Sequence, residues 1–239
     1  MVVNQIIVFV CFVVLCAAGT SCRAEEYAVD ENFENLDDWV PIIFPKIRKH
    51  SQYWISETGS GSVLVARSNA SASGLRYAKE FNVHAFPVVR WKWKVDNVYA
   101  NGNVEEKSGD DYPLRVYVMF KYDPERASLG ERMQYGLAKT LYGEYPPVSS
   151  LNYIWANRAH AKRIYPSPYS DRARMIILRA GAGETGRWLE EQVNIIDDYR
   201  QAFNMRPPAT ASIAIMNDSD DTGEASTSYL EYIQVLRSE

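Results

Sequence analysis

The chain has 239 residues, 46% hydrophobic and 13% aromatic, with 26 basic against 30 acidic side chains and a net charge of -4. That is enough chain to bury a full core, and the acidic balance argues against a nucleic-acid-binding protein, which normally carries a basic field. Thirteen glycines and eleven prolines exclude a fibrous or low-complexity chain.

The amino-terminal stretch bears on the compartment. Cys11, Cys16 and Cys22 are the only cysteines, and they share the first 22 residues with the one long apolar run, 6–18. This run is shorter than the roughly 20 residues that span a bilayer and suits the core of a signal peptide. Cys22-Arg23-Ala24 before Glu25-Glu26 is an acceptable cleavage site, although MVVNQ carries no Lys or Arg. Residues 1–24 are therefore expected to be a leader and 25–239 one domain of a periplasmic or secreted protein, with no nucleic-acid partner and no membrane span. A lipid anchor on Cys22 is the lesser alternative, because Gly19-Thr20-Ser21 lacks the usual Leu. The remaining 215 residues have no cysteine, so the fold must be held without disulfides.

Beyond the leader, Phe33 to Trp39 opens the domain. Short runs rich in β-branched and aromatic residues then recur between turn formers. Strands are predicted at 53–58, 62–68, 76–81, 88–95, 114–122, 153–156, 174–179, 188–194, 212–217 and 228–236. Leu129, Met133, Leu137 and Leu141 fall at four-residue spacing and predict a helix, stopped by Pro146-Pro147. A shorter helix or turn is predicted over 196–204, before Pro207-Pro208. The pattern predicts an all-β fold: an antiparallel β-sandwich of jelly-roll (galactose-binding-like) type with one or two short inserted helices.

Several stretches resemble, in order, one family of exported bacterial proteins, the domain-of-unknown-function family 3047. They are Ser71-Ala72-Ser73-Gly74-Leu75, Arg90-Trp91-Lys92-Trp93-Lys94-Val95, Lys107-Ser108-Gly109-Asp110-Asp111-Tyr112, Arg115-Val116-Tyr117-Val118, Leu151-Asn152-Tyr153-Ile154-Trp155-Ala156 and 214–222. The resemblance runs from about Phe33 to Val235. It implies no catalytic residue. The chain departs from the family at Asp221, where Asn is usual, and at Tyr232, where an acid is expected.

Four constellations could carry chemistry. In 89–95 the side chains alternate, with Trp91, Trp93 and Val95 on one face and Arg90, Lys92 and Lys94 on the other. In 114–120 Leu114, Val116, Val118 and Phe120 oppose Arg115, Tyr117 and Met119. Pairing of these strands would gather Lys92, Lys94, Arg115 and Tyr117 into one face suited to sugar hydroxyls, uronates or sulfates, the alternative being a solvated face with cross-strand ion pairs. Next, Lys107-Ser108-Gly109-Asp110-Asp111-Tyr112 puts two carboxylates, a lysine and a phenol beside Arg115. This is acid–base material for cleaving a glycoside, or a structural turn. Third, Asp218, Asp220 and Asp221 supply clustered oxygen ligands for a structural calcium, or a plain Asp-rich turn. Last, Tyr153, Trp155, Tyr165 and Tyr169, with Asn152 and Asn157, could stack on sugars or belong to the core.

Recognisable catalytic signatures are absent from the sequence: His50, His84 and His160 are scattered, and GxSxG and GxxxxGK do not occur. The leading expectation is a noncatalytic carbohydrate-binding module whose ligand-binding residues are Lys92, Lys94, Lys107, Arg115, Tyr117 and Asn152. The rival is a polysaccharide-cleaving lyase or hydrolase built on Asp110, Asp111, Arg115 and Tyr117. A structural partner in an envelope assembly is the third reading.

Overall fold

The computed structural model describes residues 27–59, 61–125, 127–130, 132–133, 135–136 and 145–238. The predicted leader with its three cysteines lies outside the described residues, as do Leu137 and Leu141 of the first predicted helix.

Fourteen strands are described in chain order: β1 Tyr27–Glu31, β2 Trp39–Ile42, β3 Gln52–Thr58, β4 Gly61–Asn69, β5 Ala72–Tyr77, β6 Phe81–Asn82, β7 Val88–Val95, β8 Arg115–Phe120, β9 Ser149–Ala156, β10 Ile164–Ser167, β11 Ser170–Ala180, β12 Leu189–Asn194, β13 Thr210–Asp218 and β14 Ala225–Leu236. They form two sheets. The six-stranded sheet runs β12-β7-β14-β4-β3 with β1 also paired to β14, and the eight-stranded sheet runs β10-β11-β9-β8-β13-β5-β2 with β6 paired to β13. Pairing is antiparallel except between β9 and β11, which are parallel. The result is the mostly-β, two-sheet sandwich with one short helix that the strand pattern predicted.

Alternation makes the core. β7 buries every second residue, so Trp91, Trp93 and Val95 point inward. From the eight-stranded sheet Val116, Val118, Phe120, Leu151, Tyr153 and Trp155 meet them. Rings interlock across the gap, Trp91 with Tyr153 at 5.4 Å and Trp93 with Trp155 at 5.7 Å. Tyr153 and Trp155 are thus core residues.

One expectation fails here. β7 and β8 do not pair: they belong to opposite sheets, joined by the connection 96–114. Each strand must turn its apolar set toward the shared core. Their polar sets therefore point out through opposite faces of the sandwich, and Lys92 and Lys94 share no surface with Arg115 and Tyr117.

Helix α1, Ile195–Phe203, closes one part of the core. Asn194 caps it by accepting from the amides of Ile196 and Asp197, and Asn204 ends it in the left-handed conformation. Tyr199 packs against Phe120 with ring centroids 4.6 Å apart. In the other predicted helix, the described residues between 129 and 136 are helical, but Leu129 and Met133 are exposed. The stripe that predicted burial does not face the core there; Tyr135 is the buried residue, stacked on Tyr122 at 3.9 Å.

Several boundaries shifted: β9, β11 and β14 start at Ser149, Ser170 and Ala225, ahead of the predicted 153, 174 and 228, and β1, β2, β6 and β10 match no predicted strand. β5 starts at Ala72, ahead of the predicted 76–81, because pairing to both β13 and β2 overrides the weak strand preference of Ala72, Ser73 and Gly74. β10 contains Pro166 and is not among the predicted strands; as the outermost strand it needs no amide on its outer side.

The two sheets are pinned by a polar centre as well as an apolar one. Asn217 on β13 is fully buried and uses every group: its amide N–H donates to Tyr53 Oη (3.0 Å), its side chain donates to the Ala66 carbonyl (2.9 Å), its carbonyl accepts from Ser51 (2.7 Å), and its Oδ1 accepts from Tyr99 (3.4 Å). Tyr53 and Ala66 lie on β3 and β4 of the other sheet. All four groups being satisfied is what makes a buried amide tolerable.

Candidate functional site

The ends of β8 and β13 meet two loops that the sequence treats as separate. In the first, a single helical turn over Lys107–Gly109 folds back on Asn103. A Cβ at residue 109 would stand 2.5 Å from the Asn103 nitrogen, so only glycine allows this turn. The turn delivers Asp110 and Asp111 inward. In the second, the chain leaving β13 carries Asp218, Asp220 and Asp221. The Asp218 amide donates to the Tyr112 carbonyl, the Tyr112 amide donates to Asp218 Oδ1, and a 2.6 Å bond runs from the Thr222 amide to Asp111 Oδ2, tying the loops together.

Arg115 is the hub. Its Nε donates to Asp218 Oδ1 at 2.9 Å, a second nitrogen pairs with Asp218 Oδ2, and Nη1 reaches Asp110 Oδ2 at 3.3 Å. Arg115, Asp110, Asp111 and Asp218 are between 2% and 5% exposed. Burial pushes the carboxyls of Asp110 and Asp111 above the ordinary range, against the pull of Arg115 on Asp110 and of the Thr222 amide on Asp111. Burial, with Asp111 nearby, raises that of half-buried Asp220.

Asp111, Asp218 and Asp220 each place a carboxylate oxygen within 4.8 Å of the others, so this largely buried triad could hold a metal ion. The sequence expectation grouped Asp218 and Asp220 with Asp221. The structure groups them with Asp111 instead, and Asp221 accepts a 2.6 Å hydrogen bond from exposed Tyr169. Lys107 lies over the Tyr169 ring, 5.3 Å from its centroid. Tyr165 belongs to a small apolar cluster with Val104, Tyr112, Ile154 and Met175 on the outer side of the eight-stranded sheet.

Tyr117 and Asn152 sit opposite each other across β8 and β9 on that outer face. Tyr117 is half-buried and donates to Met216 Sδ at 3.4 Å; burial pushes its phenol up. Asn152 is buried, with its Nδ2 3.2 Å from Met175 Sδ and its Oδ1 unpartnered.

Lys92 and Lys94 occupy the outer face of the six-stranded sheet, among rings the sequence reading did not single out. The Lys94 ammonium lies 4.1 Å from the Tyr229 ring centroid and 5.4 Å from that of Trp188, and the two rings meet edge to face at 6.2 Å. Register continues the row across the sheet: Lys94 opposite Tyr229, Tyr229 opposite Val65, Val65 opposite Trp54, which is 41% exposed. Lys92 pairs with Glu231 at 2.7 Å, whereas Lys94 has no carboxylate partner among the described residues. Alternation along 228–236 places Tyr229 outward and was the available signal. Trp188 lies just ahead of β12, and in the predicted strand 188–194 it falls in phase with Glu190 and Gln192, opposite Leu189 and Val193.

Comparison with solved structures finds similar chains at low identity. The family 11 carbohydrate-binding module of the cellulosomal cellulase Lic26A-Cel5E of Clostridium thermocellum is 9% identical with a TM-score of 0.44, covering 90% of this chain and 95% of that one. Endoglucanase 3 of Trichoderma harzianum, from family GH12, is 7% identical with a TM-score of 0.40 over 86% of this chain and 100% of that one. The metal-free form of lectin I-B4 from Griffonia simplicifolia is 9% identical with a TM-score of 0.37 over 87% and 97%. No curated protein matches significantly in sequence. A family profile, by contrast, matches residues 37–234, nearly all of the described chain, and so the chain belongs to the family described as "Protein of unknown function (DUF3047)".

Proposed function

We propose that this protein is a noncatalytic glycan-binding module that works outside the cytoplasm, and that its binding surface is the outer face of the six-stranded sheet. The observation that carries this reading is the Lys94 ammonium held over Tyr229 and Trp188, without a carboxylate partner among the described residues. Rings at a solvated sheet face offer flat apolar surface to the C–H face of a sugar. An ammonium between them can donate to a hydroxyl and is best satisfied by a uronate carboxylate or sulfate. Trp54, in the same row, extends the platform across four strands.

The leader-like first 24 residues support export. The rival reading, a lyase or hydrolase, would use Asp110, Asp111, Arg115 and Tyr117. It has less support, because Asp110, Asp111 and Arg115 are buried and Arg115 is engaged by Asp110 and Asp218, so a polymer has no open path to them. In our reading any calcium is structural, since the carboxylate triad lies at the ends of β8 and β13 in the other sheet and not among the rings.

Affinity electrophoresis of the full chain through gels containing neutral or acidic polysaccharides tests the proposal. Retardation by an acidic polysaccharide without new chain ends, reduced in Trp188→Ala, is expected. Unretarded migration in every gel, or release of new ends, would overturn it.

A further inference from the structure

We infer that Asp111, Asp218 and Asp220 form a calcium site that clasps the connection 96–114 to the turn 219–223. This goes beyond the glycan reading and does not depend on it. The ligand set spans two loops more than a hundred residues apart in sequence, so it differs from a metal loop held within a single turn.

Two independent observations carry it. The first is the grouping itself: three carboxylate oxygens within 4.8 Å, a spacing at which like charges repel and which a bound cation or a retained proton relieves. The second is an orphan. Asp111 is 2% exposed; one of its oxygens takes the Thr222 amide and the other, Oδ1, receives no hydrogen bond. A buried carboxylate oxygen without a donor is costly, and an ion is one of the few things that removes the cost.

Charge points the same way. Arg115 answers Asp218 and part of Asp110, yet four carboxylates (Asp110, Asp111, Asp218 and Asp220) share this one buried guanidinium. A divalent ion removes most of the excess. The donors are all oxygen, with no imidazole or thiol in the cluster, which selects a hard cation over zinc or copper. Ligands arriving from two loops suit the loose, high-coordination shell of calcium better than the strict octahedron of magnesium, with carbonyls and water completing the shell. Half-buried Asp220 gives the ion a way in from solvent.

The test is calorimetric titration of the chelator-treated full chain with calcium chloride and with magnesium chloride, alongside thermal unfolding in calcium and in EDTA. One equivalent of calcium should bind and raise the unfolding midpoint, with magnesium weaker by about tenfold or more. Asp111→Asn, nearly isosteric, should weaken calcium by about tenfold or more, while Asp221→Asn should stay within about twofold. The wild-type midpoint alone keeps the inference open to refutation should Asp111→Asn fail to fold. No calcium heat and no midpoint shift in the wild-type chain, equal affinity for magnesium, or unchanged calcium affinity in Asp111→Asn would each overturn it.

Discussion

Arg115 and Lys94 occupy equivalent places in two alternating strands, each a cation spaced between apolar residues that enter the core, and their surroundings could hardly differ more. Arg115 is 5% exposed and grips two aspartates; Lys94 is half-buried on an open face, above two rings. Alternation decides that a side chain points away from the core, but not what covers that face. Over the eight-stranded sheet the connection 96–114 folds down as a roof, and the outward cation becomes part of an interior. Over the six-stranded sheet the basic, aromatic row stays solvated. A buried ion pair restricts its cation to holding the fold, whereas an exposed cation over rings keeps its bonding capacity for a ligand.

Exchanging each cation for an apolar side chain of similar length gives the sharpest contrast. Arg115→Met strands Asp110 and Asp218 without their countercharge and should cost about 3–5 kcal/mol of stability by urea unfolding. Lys94→Met should cost less than about 1 kcal/mol in the same measurement, since it is exposed enough to remain hydrated and has no ion-pair partner among the described residues. Equal losses would break the comparison. Asn217→Ala tests whether the polar centre next to the roofed end supports the sandwich independently of Arg115. It leaves the Ala66 carbonyl and other buried groups short of partners and should cost about 2–3 kcal/mol by the same assay.

On the open face the expected effects are smaller and fall on binding. Trp188→Ala should weaken retardation by acidic polysaccharide by about 2–10-fold, the worth of one ring contact, with the urea midpoint nearly unchanged. Lys94→Met should weaken binding of acidic chains more than neutral ones, which gels of the two kinds read directly. A loss shared equally would mean that the ammonium only props the rings apart.

Much of the fold was legible because it depends on local pattern. The 88–95 strand was read to the residue, since Trp91, Trp93 and Val95 are buried in strict alternation. The sandwich followed from the recurrence of such strands, and the segment 196–204, read as a helix or turn before Pro207-Pro208, is the helix Ile195–Phe203. The site was less legible because it depends on which strands become neighbours. Nothing in the spacing of Lys92 and Arg115 says that the chain crosses from one sheet to the other over 96–114. Asp111 looked like an acid–base candidate beside Arg115, and only the antiparallel pairing of β8 with β13 brings it to Asp218 and Asp220. The Tyr229 platform was within reach of alternation, but the register shift between Leu230 and Tyr232 blurs the face on which Tyr232 falls.

The smallest effect separates the two uses of the Asp-rich turn. Tyr169→Phe deletes the hydroxyl that donates to Asp221 while keeping the ring beside Lys107. The bond is exposed, so water replaces it, and the change should cost less than about 1 kcal/mol by thermal unfolding. Because Asp221 lies outside the triad, calcium affinity in Tyr169→Phe should match wild type within about twofold. A matching affinity means that the exposed latch and the buried carboxylates act separately. A large drop would mean that Asp221 and Tyr169 set the position of Asp220, joining the roofed end and its surface into one unit.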